Sequence, residues 1–221
     1  MKLKETQNLF VLGLFLGAVG LISAVVLTLF SQKVAEPIEA ARLRTLNSAL
    51  LQVLPAFDNQ PSRNVVEYDG VRFMGAAEKG KLIAVAAEAS SPGYAGPITA
   101  LIGFDPDGKI LAVLITAQGE TPGLGANVCE RKFSKTIFNF FQPTPEGLPP
   151  NWFLDQFDGK TAAKNSGWKV KKDGGDIDYV TGATVTSRAI TKLVSDASSV
   201  FAANRTELLA KLAPAEGGTE K

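Results

Sequence analysis

Residues 9–30 read LFVLGLFLGAVGLISAVVLTLF, 22 positions without a charge. A stretch of that kind is restricted to two settings, a membrane span or a buried core helix. At about 1.5 Å per residue it reaches roughly 33 Å, enough for a hydrocarbon layer of about 30 Å. A secretory signal has a shorter apolar segment, of about 7–15 residues, and a small-x-small cleavage site. Here Ser31-Gln32-Lys33-Val34 is a poor cleavage site. The expectation is therefore a retained single span. Its direction is not set by charge: Lys2, Lys4 and the α-amino group lie before it, and Lys33, Arg42 and Arg44 after it. That count is nearly tied under the positive-inside rule, and only the shortness of the leading tail argues for an inside N-terminus.

What composition excludes narrows the rest. Net charge is +1, from 23 basic and 22 acidic residues, with no dense basic cluster. No nucleic-acid partner is expected. Histidine is absent, which removes the commonest general base and the commonest metal ligand. The single cysteine, Cys129, rules out intrachain disulfides and cysteine-rich metal sites, and is expected as a small core-facing residue. No metal site is expected, and no side chain is assigned a catalytic role. A serine-type nucleophile lacks a histidine base, and a P-loop is absent.

Beyond the span, a helix is predicted from Pro37 to a stop at Pro55, with Ala40, Leu43, Leu46, Leu50, Leu51 and Leu54 as its apolar stripe. Strands are predicted over 64–67, 71–75, 81–88, 98–104 and 109–116. Asp69-Gly70, Lys79-Gly80 and Asp105-Pro106-Asp107-Gly108 mark turns. Short turns between successive strands argue for antiparallel pairing. A Gly/Pro loop over 119–125 leads to a predicted helix over 128–141, with Phe133, Ile137, Phe138 and Phe141 on one face. Short elements follow over 152–157 and 168–171. A last helix runs over 185–203 with a possible extension through 205–212, and a polar tail closes the chain. The fold class is α+β: an antiparallel sheet packed with helices, on a single N-terminal transmembrane helix.

Two loops are richer than ordinary turns require. The first is Gly119-Glu120-Thr121-Pro122-Gly123-Leu124-Gly125, in which two glycines flanking Leu124 let backbone approach a flat ligand. The same spacing also suits a plain strand-to-helix connection. The second is Asp178-Tyr179-Val180-Thr181-Gly182-Ala183-Thr184, entering the last helix. A helix start presents unpaired amides and a partial positive charge, a seat for phosphate, and a threonine there can be esterified by it. An ordinary N-cap made by Thr184 or Thr186 is the equal alternative.

The segment Asp178-x-x-Thr181-Gly182-Ala183-Thr184 resembles the flavinylation motif of the FMN-binding domain family. That family includes the G subunit of Rnf electron-transport complexes and the C subunit of sodium-pumping NADH:quinone reductases. The resemblance extends to Ser91-Pro92-Gly93-Tyr94-Ala95-Gly96-Pro97-Ile98, to Ile102-Gly103-Phe104-Asp105, to Glu120-Thr121-Pro122-Gly123-Leu124-Gly125, and to Trp152-Phe153 through Phe157-Asp158-Gly159-Lys160. These motifs keep one order across residues 91–190. The sequence departs from the family at Gln118 and Gly119, where histidine is frequent. It is short for the quinone-reductase protein, which favours the Rnf one.

The resemblance implies FMN joined covalently to Thr184 through a phosphoester. Thr181, Gly182, Ala183, Glu120, Thr121, Leu124 and Gly125 would form the cofactor site, and Asp178 would belong to the segment a flavin transferase recognises. It implies an electron-relay subunit, working with other membrane subunits of an Rnf-type complex in a bacterial inner membrane. The expected layout is a short cytoplasmic tail (1–8), a transmembrane helix (9–30), a membrane-proximal helix (31–55), an FMN-binding domain outside the cytoplasm (56–213) and a disordered tail (214–221). The alternatives are the C subunit of the quinone reductase and a non-redox structural or sensory domain of the same fold.

Overall fold

A computed structural model describes residues 2–133, 147–163 and 167–214, in two compact units, Met1–Arg44 and Thr45–Lys221. The first unit is helical. It holds most of α1 (Lys2–Val53), whose stretch Leu9–Ser31 has a mean hydropathy of 2.6 and is long and apolar enough to cross a membrane. The separate helix predicted to open at Pro37 is not seen, because α1 passes through that position unbroken. An interior proline forgoes one backbone hydrogen bond at a cost of about 3 kcal/mol. The helix-favouring residues that follow, Glu39-Ala40-Ala41-Arg42-Leu43, carry the helix past it.

The second unit is built on one five-stranded sheet in sequence order: β1 (Val65–Tyr68), β2 (Val71–Glu78), β3 (Lys81–Pro92), β4 (Pro97–Phe104) and β5 (Ile110–Ala117). Every pairing is antiparallel. The first two turns place Asp69-Gly70 and Lys79-Gly80 at positive φ, the twisted hairpin geometry that matches the strands' own twist.

Side chains alternate between two buried faces. On one, Phe73, Ala87, Ile102 and Val113 pack with Ile190, Val194, Ala197 and Phe201 of the long helix α3 (Thr184–Leu212). The Phe201 ring stacks on Phe104 with centroids 4.7 Å apart. On the other face, Met74, Ala86, Leu101 and Ala112 meet Leu46, Ala49, Leu50, Val53 and Leu54 from the last turns of α1. Burial on both sides explains why β3 and β4 read as almost unbroken apolar runs. Of the stripe predicted for this helix, Leu46, Leu50 and Leu54 are buried, whereas Ala40, Leu43 and Leu51 are exposed.

The helix predicted over 128–141 is replaced, within the described residues, by the short α2 (Gly125–Cys129). Glu130 turns extended, and the chain is tied to neighbouring loops. Arg131 donates to the carbonyls of Val113 and Pro149 (2.9 Å each) and to Asp155 Oδ1 (2.6 Å). Asn151 Nδ2 donates to the carbonyls of Val128 (3.0 Å) and Glu130 (2.9 Å). Ile137, Phe138 and Phe141 lie outside the described residues, as does the expected tail after residue 214. Short 3-10 turns occupy Leu154–Phe157 and Lys171–Asp173.

Candidate functional site

The start of α3 is held open rather than capped. Gly182, at φ +88°, turns the chain in a conformation that favours glycine, and Ala183 N–H closes the turn on Val180 O (3.0 Å). Buried Ser187 secures this entry from inside the helix. Its Oγ accepts from Val180 N–H (3.2 Å) and donates to Ala183 O (3.0 Å). Ala183 occupies the N-cap position, and no side chain caps the helix. Ser187 N–H to Ala183 O (2.9 Å) is the first bond of the α-helical ladder, so the amides of Thr184, Val185 and Thr186 have no acceptor within it.

The capping role considered for Thr184 or Thr186 is thus not realised. Thr186 is 1% exposed, and its hydroxyl donates to Glu120 Oε2 at 2.8 Å. A carboxylate in reach is a stronger acceptor than the hydroxyl's alternatives, so it takes the proton. Glu120 itself is 5% exposed. Its Oε1 accepts from the amides of Tyr94 (2.7 Å) and Ala95 (3.3 Å) in the β3–β4 turn. One buried side chain therefore joins three segments that are remote in sequence.

Those segments enclose a cavity of about 320 Å³. Of the residues predicted for the site, Glu120, Thr121, Leu124, Gly125, Gly182, Ala183 and Thr184 all line it. Thr181 is exposed and is not on its wall. Asp178 lies apart, exposed, with its carboxylate 2.7 Å from Lys171 Nζ and its amide donating to Gln156 Oε1 (2.7 Å). Three lining residues escaped the predicted set: Tyr94, Val185 and Thr186. Tyr94 fell within a matched segment, but nothing in its spacing indicated a wall. Apolar side chains stay exposed around the mouth: Tyr94 at 71%, Leu124 at 50% and Val185 at 46%.

Charge near the cavity is already paired. Arg188, one turn beyond Thr184, makes a two-point contact with Asp173 (2.6 and 2.5 Å), which holds that carboxyl below its usual range. The Cys129 thiol is pushed up to about 12, first by burial and then by the negative charges of Glu120 and Glu130. It stays protonated and inert, as the core-facing expectation had it. Among the described residues no cluster of His, Cys, Asp or Glu could hold a metal.

A profile of the FMN-binding domain matches residues 93–199, a span that contains every wall of the cavity. The chain is 34% identical over 211 residues to the G subunit of the ion-translocating oxidoreductase complex of Cereibacter sphaeroides, covering 91% of this chain and 88% of that protein. It is 36% identical over 219 residues to the protein of the same name from Pseudomonas aeruginosa, covering 92% of each. The chain belongs to this family of G subunits. Among solved structures, it is similar to the C subunit of the Na(+)-translocating NADH-quinone reductase from Parabacteroides distasonis, with a TM-score of 0.40, 23% identity, and coverage of 63% of this chain and 62% of that one.

Proposed function

We propose that this protein is a flavoprotein subunit of an ion-translocating electron-transport complex, with FMN esterified to the Thr184 hydroxyl through its phosphate. The observation that carries the reading is the uncapped start of α3, where Thr184 and the amides of 184–186 border the cavity. An ester there puts the phosphate's negative charge against unpaired N–H groups and the positive end of a 29-residue helix. The residues present fit the rest of the cofactor. Leu124 and Val185 offer apolar surface for a flat ring, and Gly125 and Gly182 add backbone to the adjoining wall.

When bound, FMN supplies the electron transfer. The chain's own residues fix the phosphate, press apolar surface on the ring and hold the three walls together. None needs to move a proton, which suits a sequence without histidine. The open mouth, rimmed by the exposed Tyr94, Leu124 and Val185, would give redox partners access to a cofactor held there. The covalent link keeps so exposed a cofactor from dissociating.

In this reading Leu9–Ser31 anchors the chain in the bacterial inner membrane, the folded domain faces the extracytoplasmic side, and the partners are other subunits of an Rnf-type complex. A separate flavin transferase installs the cofactor and recognises the segment that contains Asp178. The decisive experiment is intact mass after co-expression with that transferase, followed by peptide fragmentation. One FMN phosphoester on Thr184, lost in Thr184→Ala, is expected. An adduct on Thr181 or Thr186, or none, would overturn the assignment. Protease treatment of spheroplasts tests the topology, and a protected domain would refute it.

A further inference from the structure

The β3–β4 turn, 93–96, presents an arrangement that the cavity alone does not explain. Tyr94 is 71% exposed, yet its backbone is tethered into the interior by a side chain 26 residues away. Glu120 Oε1 takes the amides of both Tyr94 and Ala95, while Oε2 takes the Thr186 hydroxyl. The turn also closes on itself, with Gly93 N–H donating to Gly96 O (2.8 Å). Three hydrogen bonds to one buried carboxylate, two of them from the amides of an exposed turn, are more than a surface turn needs.

Two glycines make room for this carboxylate. A Cβ at Gly93 would fall 2.2 Å from Glu120 Oε1, and one at Gly125 would fall 2.6 Å from Oε2 and 2.8 Å from Thr186 Oγ1. Both oxygens are therefore sealed between backbone on one side and Thr186 on the other. With its two oxygens so engaged, Glu120 is poorly placed to serve as a direct contact of a bound cofactor. What it fixes is the position of Tyr94, the one aromatic side chain on the cavity wall among the described residues.

We propose that Glu120 is a positioning residue, and that the Glu120, Gly93, Gly125 and Thr186 unit holds Tyr94 as an aromatic wall against the isoalloxazine ring of the flavin. The inference rests on the flavin reading of this cavity. An aromatic ring offers a flat polarisable face, for which stacking on another ring system supplies a partner, and among the described residues no aromatic ring stacks on Tyr94. The phenol's exposure then has a cause: its packing partner is the cofactor. The unit acts as a clasp, since it ties the turn that carries Tyr94 to the helix that carries Thr184.

The test uses the full-length protein, co-expressed with the flavin transferase and purified. Fluorescence and iodide quenching are read per covalent flavin, with intact mass as the normaliser. A phenol stacked on a flavin quenches its emission, so Tyr94→Leu should raise the yield about twofold or more and increase iodide access. Glu120→Ala and Gly93→Ala, which break the clasp from either side, should give the same two changes with the adduct still on Thr184. Glu120→Gln should behave like the parent: its carbonyl oxygen accepts both amides, and its NH2 donates to Thr186 Oγ. Where Glu120→Ala does not fold, as judged by circular dichroism, Gly93→Ala and Glu120→Gln decide. Unchanged emission in Tyr94→Leu would overturn the aromatic wall, and parent-like emission in both clasp-breaking variants would overturn the positioning role. A parent protein without the FMN mass refutes the flavin reading instead, before any spectrum is taken.

Discussion

At Cys129, burial and two carboxylates act in the same direction. The thiol rises from 9.0 to about 12, so the folded state holds its proton more tightly than the unfolded chain does. The stability this contributes is fully present below about pH 9 and is lost as the pH climbs towards 12. Two outcomes are expected: negligible thiol labelling of the native protein at pH 8 with fast labelling in denaturant, and a Cys129→Ser variant whose stability declines less between pH 9 and 12. Glu120, which contributes to that shift, marks the limit of what residue spacing reveals. Its loop could be recognised as over-specified, and Thr184, Leu124 and Gly125 could be named from it and from the motif. Its hydrogen bonds to Tyr94 and Ala95 could not, since pairing across 25 and 26 residues leaves no periodic trace.

Elements with local causes were the legible ones. Three of the four β-hairpins are written in short stretches, with Asp69-Gly70, Lys79-Gly80 and Asp105-Pro106-Asp107-Gly108 between apolar runs, and the five strands fall close to where the apolar runs put them. The last helix was legible from its stripe of Ala189, Ile190, Leu193, Val194, Ala197, Val200 and Phe201, all of them buried but the half-buried Val200. Its observed length includes the possible extension through Leu212. Within the described residues, helical spacing misled at 130–133, where Arg131 and Asn151 recruit the backbone into loop contacts that the spacing does not encode. Phe201 is the central anchor of α3, fully buried and in ring contact with both Phe104 and Phe73. Phe201→Ala should therefore cost about 3–5 kcal/mol, read as a lower midpoint in thermal or denaturant unfolding. A change within the error of measurement would mean that α3 contributes less to the domain than its packing implies.

For the molecule as a whole, the division into Met1–Arg44 and Thr45–Lys221 makes a prediction about where it can be cut. A chain beginning at Thr45 retains Leu46, Leu50, Val53 and Leu54 over the second face of the sheet, and should be recovered from the soluble fraction with a cooperative unfolding transition. A chain beginning at Pro55 leaves Met74, Ala86 and Leu101 uncovered and should aggregate. Equal behaviour of the two truncations would show that this helical segment is dispensable. The order of the walls around Thr184 also has a consequence for biogenesis. The sheet is assembled from neighbours in sequence, so it can form while the ribosome is still working. The turn at Tyr94 and the loop at Glu120 are synthesised long before α3. The cavity is therefore completed only when α3 docks, and an ester found within it would certify that this helix had been made and had folded onto the sheet.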